Sequence, residues 1–122
     1  MKIDFIADTN FLIYLHEGNS SVEPFLNYDF GVSFVSEIEL LGYPKLSKNE
    51  EEKLKLLLND CFIIEWNSKL KDKTISLKKE YQIKLPDAII AATAIIYSIP
   101  LITADKGFKP IKNLDLVVLD LF

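Results

Sequence analysis

The most strongly apolar stretch of the chain is Leu85–Asp105, LPDAIIAATAIIYSIPLITAD. Pro86 stands where a helix can begin without needing an N–H, and alanine and isoleucine then cover every side of the helical wheel up to Tyr97. A helix that is apolar all round is predicted to be packed all round. Pro100 ends it, and Leu101-Ile102-Thr103, apolar without alternation, reads as a short buried strand of the parallel kind. One acid, Asp87, falls at the helix entry and another, Asp105, just past the strand.

The same reading organises the rest of the chain. Ile3–Ala7 is a strand broken only by Asp4, and Asp8-Thr9-Asn10 turns the chain and caps a helix over Phe11–His16. Gly18-Asn19-Ser20-Ser21 interrupts the pattern, and Ser21 caps a short helix through Leu26. Gly31–Val35 reads as the second strand, leading into a helical turn over Ser36–Gly42 with Glu39 in its first turn and Gly42 closing it. Ser47-Lys48-Asn49-Glu50 has the form of a capping box, followed by a helix with Leu54, Leu57 and Leu58 on one face. Cys61–Trp66 is the third strand. The next helix carries Leu70, Thr74, Leu77 and Tyr81 on one stripe and lysines at 69, 71, 73, 78 and 79 largely off it. Lys106–Asn113 is a loop and Leu116–Leu119 a last strand. Strands alternating with helices predict an α/β fold with a mainly parallel central sheet, in a single domain over residues 1–122.

Composition narrows the function only modestly. At 122 residues with 49% hydrophobic content, the chain can build a core without a disulfide or a structural metal. Cys61 is the sole cysteine, and no apolar run is long enough to span a membrane, so a cytoplasmic protein without membrane contact is expected. All 14 basic residues are lysine and the net charge is −4, unlike a dedicated nucleic-acid binder. The lysine-rich face of residues 69–84 is then the best candidate for phosphate contacts.

The acids carry the functional argument. In a parallel sheet with helical crossovers, residues just after each strand and at the start of each following helix share one edge of the sheet. Asp8, Glu39, Asp87 and Asp105 all qualify. Each alone could simply cap a helix or a turn. Together they would repel one another unless a cation offsets the charge. With oxygen donors and no Cys/His cluster, the cation suited to the set is Mg²⁺ or Mn²⁺ rather than zinc. Such ions activate water and hold phosphate oxygens, which is the chemistry of phosphodiester hydrolysis.

Four motifs at these acids resemble the PIN-domain ribonucleases, and among them the small VapC-like toxins of toxin–antitoxin pairs: IADTNFLI, VSEIELLG, LPDAIIAATAI and LITADKGF. The resemblance runs the length of the chain. It implies a PIN-like three-layer α/β/α fold and metal-binding, catalytic acids at Asp8, Glu39, Asp87 and Asp105, with Asn10 and Thr103 as supporting polar residues. Glu37 does not align with the family acid, because the Ser36…Glu39-Leu40 spacing selects Glu39. The resemblance further implies RNA cleavage dependent on Mg²⁺ or Mn²⁺, a homodimer packed through helices, and an antitoxin whose tail occupies the active-site groove. Many relatives carry an acid or polar residue before the aromatic of the fourth motif, where this chain has Gly107 before Phe108.

Other residues read as structural. His16 is expected at the surface or as a partner of its helix dipole, Cys61 as a packed thiol, and Trp66 as core or rim packing. The apolar residues Phe11, Leu12, Tyr14, Leu15, Ile95, Ile96 and Tyr97 exceed what one sheet face needs, which suits a dimer. Two other classes stay open. One is a protein-binding module of the same fold with a weakened site, to which Gly107 would point. The other is a receiver-type signalling domain, which would want paired acids after strand one and a phosphoacceptor aspartate after strand three.

Overall fold

The computed structural model describes residues 2–121. It contains strands β1 (Phe5–Ala7), β2 (Phe30–Ser33), β3 (Phe62–Ile64), β4 (Leu101–Thr103) and β5 (Leu116–Val118). The helices are α1 (Thr9–Glu17), α2 (Phe34–Leu41), α3 (Lys48–Asn59), α4 (Ser68–Glu80) and α5 (Leu85–Tyr97). Short 3-10 helices occupy Ser20–Phe25 and Lys106–Phe108, the second within the predicted loop. The strands form one sheet in the order β3-β2-β1-β4-β5, with every pairing parallel. In a receiver-type sheet β1 lies between β2 and β3, so the observed neighbours, β2 and β4, exclude that alternative.

Register explains the layers. Ile6 pairs with Leu101 and Ala7 with Ile102, and because successive side chains face opposite sides of a sheet, each pair feeds a different core. Ile6 and Leu101 pack with Leu70 and Leu77 of α4 and with Ile89 and Ile90 of α5. Ala7 and Ile102 pack with Phe11 and Leu12 of α1 and with Leu54 and Leu58 of α3. Helices therefore cover both faces, giving a three-layer α/β/α architecture. Every residue from Ala88 to Ala94 is buried, as the all-round apolar pattern requires. Thr93 fits in that helix because its hydroxyl donates to the Ile89 carbonyl at 2.7 Å.

Several boundaries differ from the sequence expectation, each for a local reason. β1 and β3 are shorter than Ile3–Ala7 and Cys61–Trp66, since pairing engages only Phe5–Ala7 of the first and Phe62–Ile64 of the second. Asn19, rather than Ser21, caps the first 3-10 helix, with its side chain accepting the Ser21 N–H at 2.9 Å. β2 stops at Ser33, whose hydroxyl accepts the Val35 N–H at 3.2 Å and starts α2 two residues earlier than expected. Glu37 then falls in the first turn and Glu39 lies further along the helix. Gly42 does end α2, but at φ −88° rather than in the left-handed region. A Cβ there would come within 2.5 Å of the Ile38 carbonyl oxygen, so the bare Cα permits the tight ending.

The capping box is half formed. Ser47 accepts the Glu50 N–H at 3.1 Å, while the Glu50 carboxylate reaches across to His16 Nε2 at 2.6 Å. His16 is thus a half-buried tie between α1 and α3 rather than a free surface residue. That bond pulls the Glu50 carboxyl below its ordinary range. Phe11 and Leu12 are fully buried, so they belong to the core and not to an apolar surplus, whereas Tyr97 remains exposed. Trp66 is a rim residue, its ring set edge-on to Phe34 at 5.5 Å between centroids. Burial, with a smaller contribution from Asp60, pushes the Cys61 thiol up to about 11, consistent with an inert packed cysteine.

Candidate functional site

Sheet order fixes where a site can form. The strand sequence reverses direction between β1 and β4, and in open parallel sheets the crevice beyond the carboxyl ends at such a switch point is where ligands bind. Asp8 follows β1 directly and caps α1, and Asp105 follows β4 by two residues. Asp87 lies in the first turn of α5, and Glu39 projects from α2, which continues β2. All four line one cleft of about 240 Å³, together with Thr9, Asn10, Lys84 and Pro86.

Asp8 is the deepest of the four, with 3% of its surface exposed. One carboxylate oxygen accepts the Phe11 N–H at 2.8 Å, and the other accepts the Thr103 hydroxyl. Burial is the main force on its ionisation and pushes it up to about 6. The bonds from Thr103 and Phe11 oppose that rise, while Asp87 and Asp105 add to it. Asp87 is half-buried and also raised, by desolvation first and then by Asp105 and Glu39, with Lys84 pulling the other way. The acids therefore sense one another through the cleft.

Polar residues around them set their orientation. Thr103, completely buried, donates to Asp8 and accepts the Asp105 N–H at 2.9 Å, so one hydroxyl fixes two of the acids. Asp105 in turn accepts the Gly107 N–H at 2.8 Å. Thr9 donates to Glu39 at 2.7 Å, and its oxygen lies 2.9 Å from the Ser36 hydroxyl. Asn10 is exposed on the wall of the cleft. Among the described residues, no three His, Cys, Asp or Glu side chains are drawn together into a ready-made metal cage. The donor set still fits a hard divalent ion: every donor is oxygen, and the charged forms of Asp8 and Asp87 are both disfavoured, by burial first and by neighbouring acids after it. Asp105 and Glu39 are exposed.

Two residues of the site carried no clear signal in the sequence. Thr9 and Ser36 hold Glu39 only because α1 and α2 pack side by side, although their places next to Asp8 and three before Glu39 could have suggested it. Lys84, the last lysine of the 69–84 stretch, is the only basic residue lining the cleft among the described residues. None of Lys69, Lys71, Lys73, Lys78 and Lys79 lines the cleft, and the Lys78 ammonium is engaged with the Ile83 carbonyl at 2.6 Å. The expected phosphate-binding face on α4 is therefore not where the acids are.

Comparison with known proteins agrees with this arrangement. Residues 5–114 match the profile of the PIN domain, and the chain belongs to the PIN domain family. Among solved structures it is similar to a chain of VapBC2 from Rickettsia felis bound to a promoter DNA fragment, at 27% identity and a TM-score of 0.83 over 95% of this chain and 98% of that one. A chain of a toxin–antitoxin complex from Klebsiella pneumoniae is 30% identical, with a TM-score of 0.79 over 93% of this chain and 96% of that one. A chain of VapBC-1 from nontypeable Haemophilus influenzae is 25% identical, with a TM-score of 0.76 over 93% and 96%. These likenesses support the VapC-like reading of the chain. No curated protein matches it.

Proposed function

We propose that the protein is a metal-dependent endoribonuclease, the VapC-like toxin of a toxin–antitoxin pair, acting as a homodimer in the cytoplasm and restrained by a cognate antitoxin. The observation that carries the hydrolytic reading is the gathering of Asp8, Glu39, Asp87 and Asp105 around one cleft at the switch point of the sheet. The toxin reading rests on similarity to chains of VapBC and other toxin–antitoxin complexes. No helix among the described residues is long and apolar enough to cross a membrane.

Asp8, Asp87 and Asp105 would hold Mg²⁺ or Mn²⁺, with Glu39 beside them or reaching through water. When bound, such an ion supplies an activated water and charge neutralisation at the phosphate. The chain's own contributions are positional. Thr103 orients Asp8 and the backbone leading to Asp105, and Thr9, backed by Ser36, keeps Glu39 turned toward the cleft. Asn10 offers an exposed amide to substrate oxygens on the same wall. No other nucleophile is at hand: the Cys61 thiol is packed and protonated, and it does not line the cleft.

The test is cleavage of RNA with Mg²⁺ or Mn²⁺ that stops on addition of EDTA. Asp87→Asn keeps the shape of the helix entry and removes one ligand charge, so activity is expected to fall by about two orders of magnitude or more, equivalent to several kcal/mol of transition-state stabilisation. Cleavage that persists in EDTA would refute the metal mechanism. A second reading has its own observation, that among the described residues no three acids are drawn together into a ready-made metal cage, and makes the chain a protein-binding PIN module with a weakened site. It predicts no metal-dependent cleavage while antitoxin binding is kept.

A further inference from the structure

We propose that Lys84 is a substrate-binding residue whose ammonium holds the backbone phosphate adjacent to the scissile one, where the acid cleft adjoins a second cavity. This rests on the hydrolytic reading above. The acid cleft, about 240 Å³, shares Lys84, Asp87 and Asp105 with a neighbouring cavity of about 260 Å³. Gln82, Gly107 and Phe108 line the far side of that cavity. The shared residues make the two spaces neighbours, with Lys84, Asp87 and Asp105 between them.

Lys84 is the only basic side chain lining either space. A polyanion entering a cleft of four carboxylates meets repulsion, and one ammonium at the junction offsets it where the strand must turn in. Helix stability does not explain the residue. Lys84 occupies the N-cap of α5 without a side-chain cap bond, at the helix end where a cation opposes the dipole and Ser, Thr, Asp or Asn would serve better. No salt bridge engages it among the described residues, although Asp87 senses its charge. The side chain is exposed and available.

The segment bearing Lys84 is held from several directions. The Tyr81 hydroxyl accepts the Lys112 N–H at 2.9 Å, and the Lys78 ammonium donates to the Ile83 carbonyl at 2.6 Å. The Lys84 carbonyl itself accepts the Ala88 N–H at 2.9 Å. The position of its Cα is therefore fixed before substrate arrives, and only the flexible stem has to be ordered. None of the α4 lysines discussed above lines either space.

The experiment compares wild type, Lys84→Gln and Lys84→Arg. Binding of a short single-stranded RNA is followed by fluorescence anisotropy with Ca²⁺ across a salt series, turnover with Mn²⁺, and Mn²⁺ affinity by calorimetry without RNA. Lys84→Gln is expected to raise Kd and KM about tenfold with kcat within about twofold, and to lower the salt slope by about 0.7 to 1 unit, the loss of one phosphate contact. Lys84→Arg should restore most of the binding. Mn²⁺ affinity should be unchanged or slightly tighter in Lys84→Gln, since a neighbouring cation has gone. RNA affinity and salt slope equal to wild type, with tighter Mn²⁺, would overturn the proposal and leave Lys84 as a counter-charge to Asp87. RNA that is bound but never cut would instead overturn the hydrolytic reading while the binding comparison still decides the role of Lys84; wild type that binds no RNA would overturn both.

Discussion

Asp8→Asn should make the metal-free protein more stable at neutral pH. The folded-state pKa of Asp8 is about 6 against an ordinary 3.8, so the folded state holds this proton over a range where the unfolded state has released it. Wherever the folded state binds more protons, stability falls as pH rises. The fall runs from about pH 4 to about pH 6 and is complete above the folded pKa. A shift of this size corresponds to about 3 kcal/mol at neutral pH, an upper value because solvent and side-chain relaxation soften it. Asparagine is neutral and nearly the same shape. It can still accept the Phe11 N–H that Asp8 accepts, and its amide can donate to the Thr103 oxygen.

About 2 to 3 kcal/mol should therefore be recovered, which for a chain of this length is roughly 8 to 12 °C in Tm. The assay is thermal and urea unfolding in EDTA across about pH 3 to 8, a window that brackets the titration. Near the lower limit the two proteins should converge, since Asp8 is then protonated in the folded and the unfolded state alike; near the upper limit the variant should be the more stable. A variant less stable than wild type near neutral pH, or one with the same pH dependence as wild type, would show that burial of Asp8 does not strain the fold.

Three further outcomes test the rest of the site. Thr103→Val removes the hydroxyl that donates to Asp8 and accepts from the Asp105 N–H; unfolding should show a loss of about 1 to 3 kcal/mol, and the acid limb of the pH–rate profile should move upward as Asp8 loses a bond that lowers its pKa. Gly107→Asp meets no left-handed backbone, yet its Cβ would sit 3.0 Å from an Asp105 oxygen; calorimetric titration with Mn²⁺ should find one tight ion in the wild type and a stronger second in the variant, and two comparably tight ions in the wild type would make Gly107 irrelevant. The homodimer is checked by light scattering at about micromolar concentration, and a monomer there would remove the expectation that exposed apolar residues such as Tyr97 are covered by a second copy.

The pattern of apolar positions by itself determined the α/β class, the buried all-apolar α5, the parallel sheet and the places of Asp8 and Asp105 after strands and of Asp87 at a helix start, while Glu39 lies further along α2 than expected. It could do so because burial on both faces leaves a continuous apolar signature, and because caps and turns demand particular residues at particular places. The limits of β2 and α2 were not legible: a single Ser33 hydroxyl decides them, and Val35 suits a strand as well as a helix. Nor was the role of His16, since Glu50 is 34 positions away and meets it only when α1 and α3 pack together. Tertiary structure alone decided that Thr103 serves Asp8, 95 positions distant, that Thr9 serves Glu39, and that Lys84 rather than the lysines of α4 stands over the cleft. These relations depend on sheet order. The reversal between β1 and β4 sets Asp8 beside Thr103, and nothing local in either segment records which strand will be its neighbour.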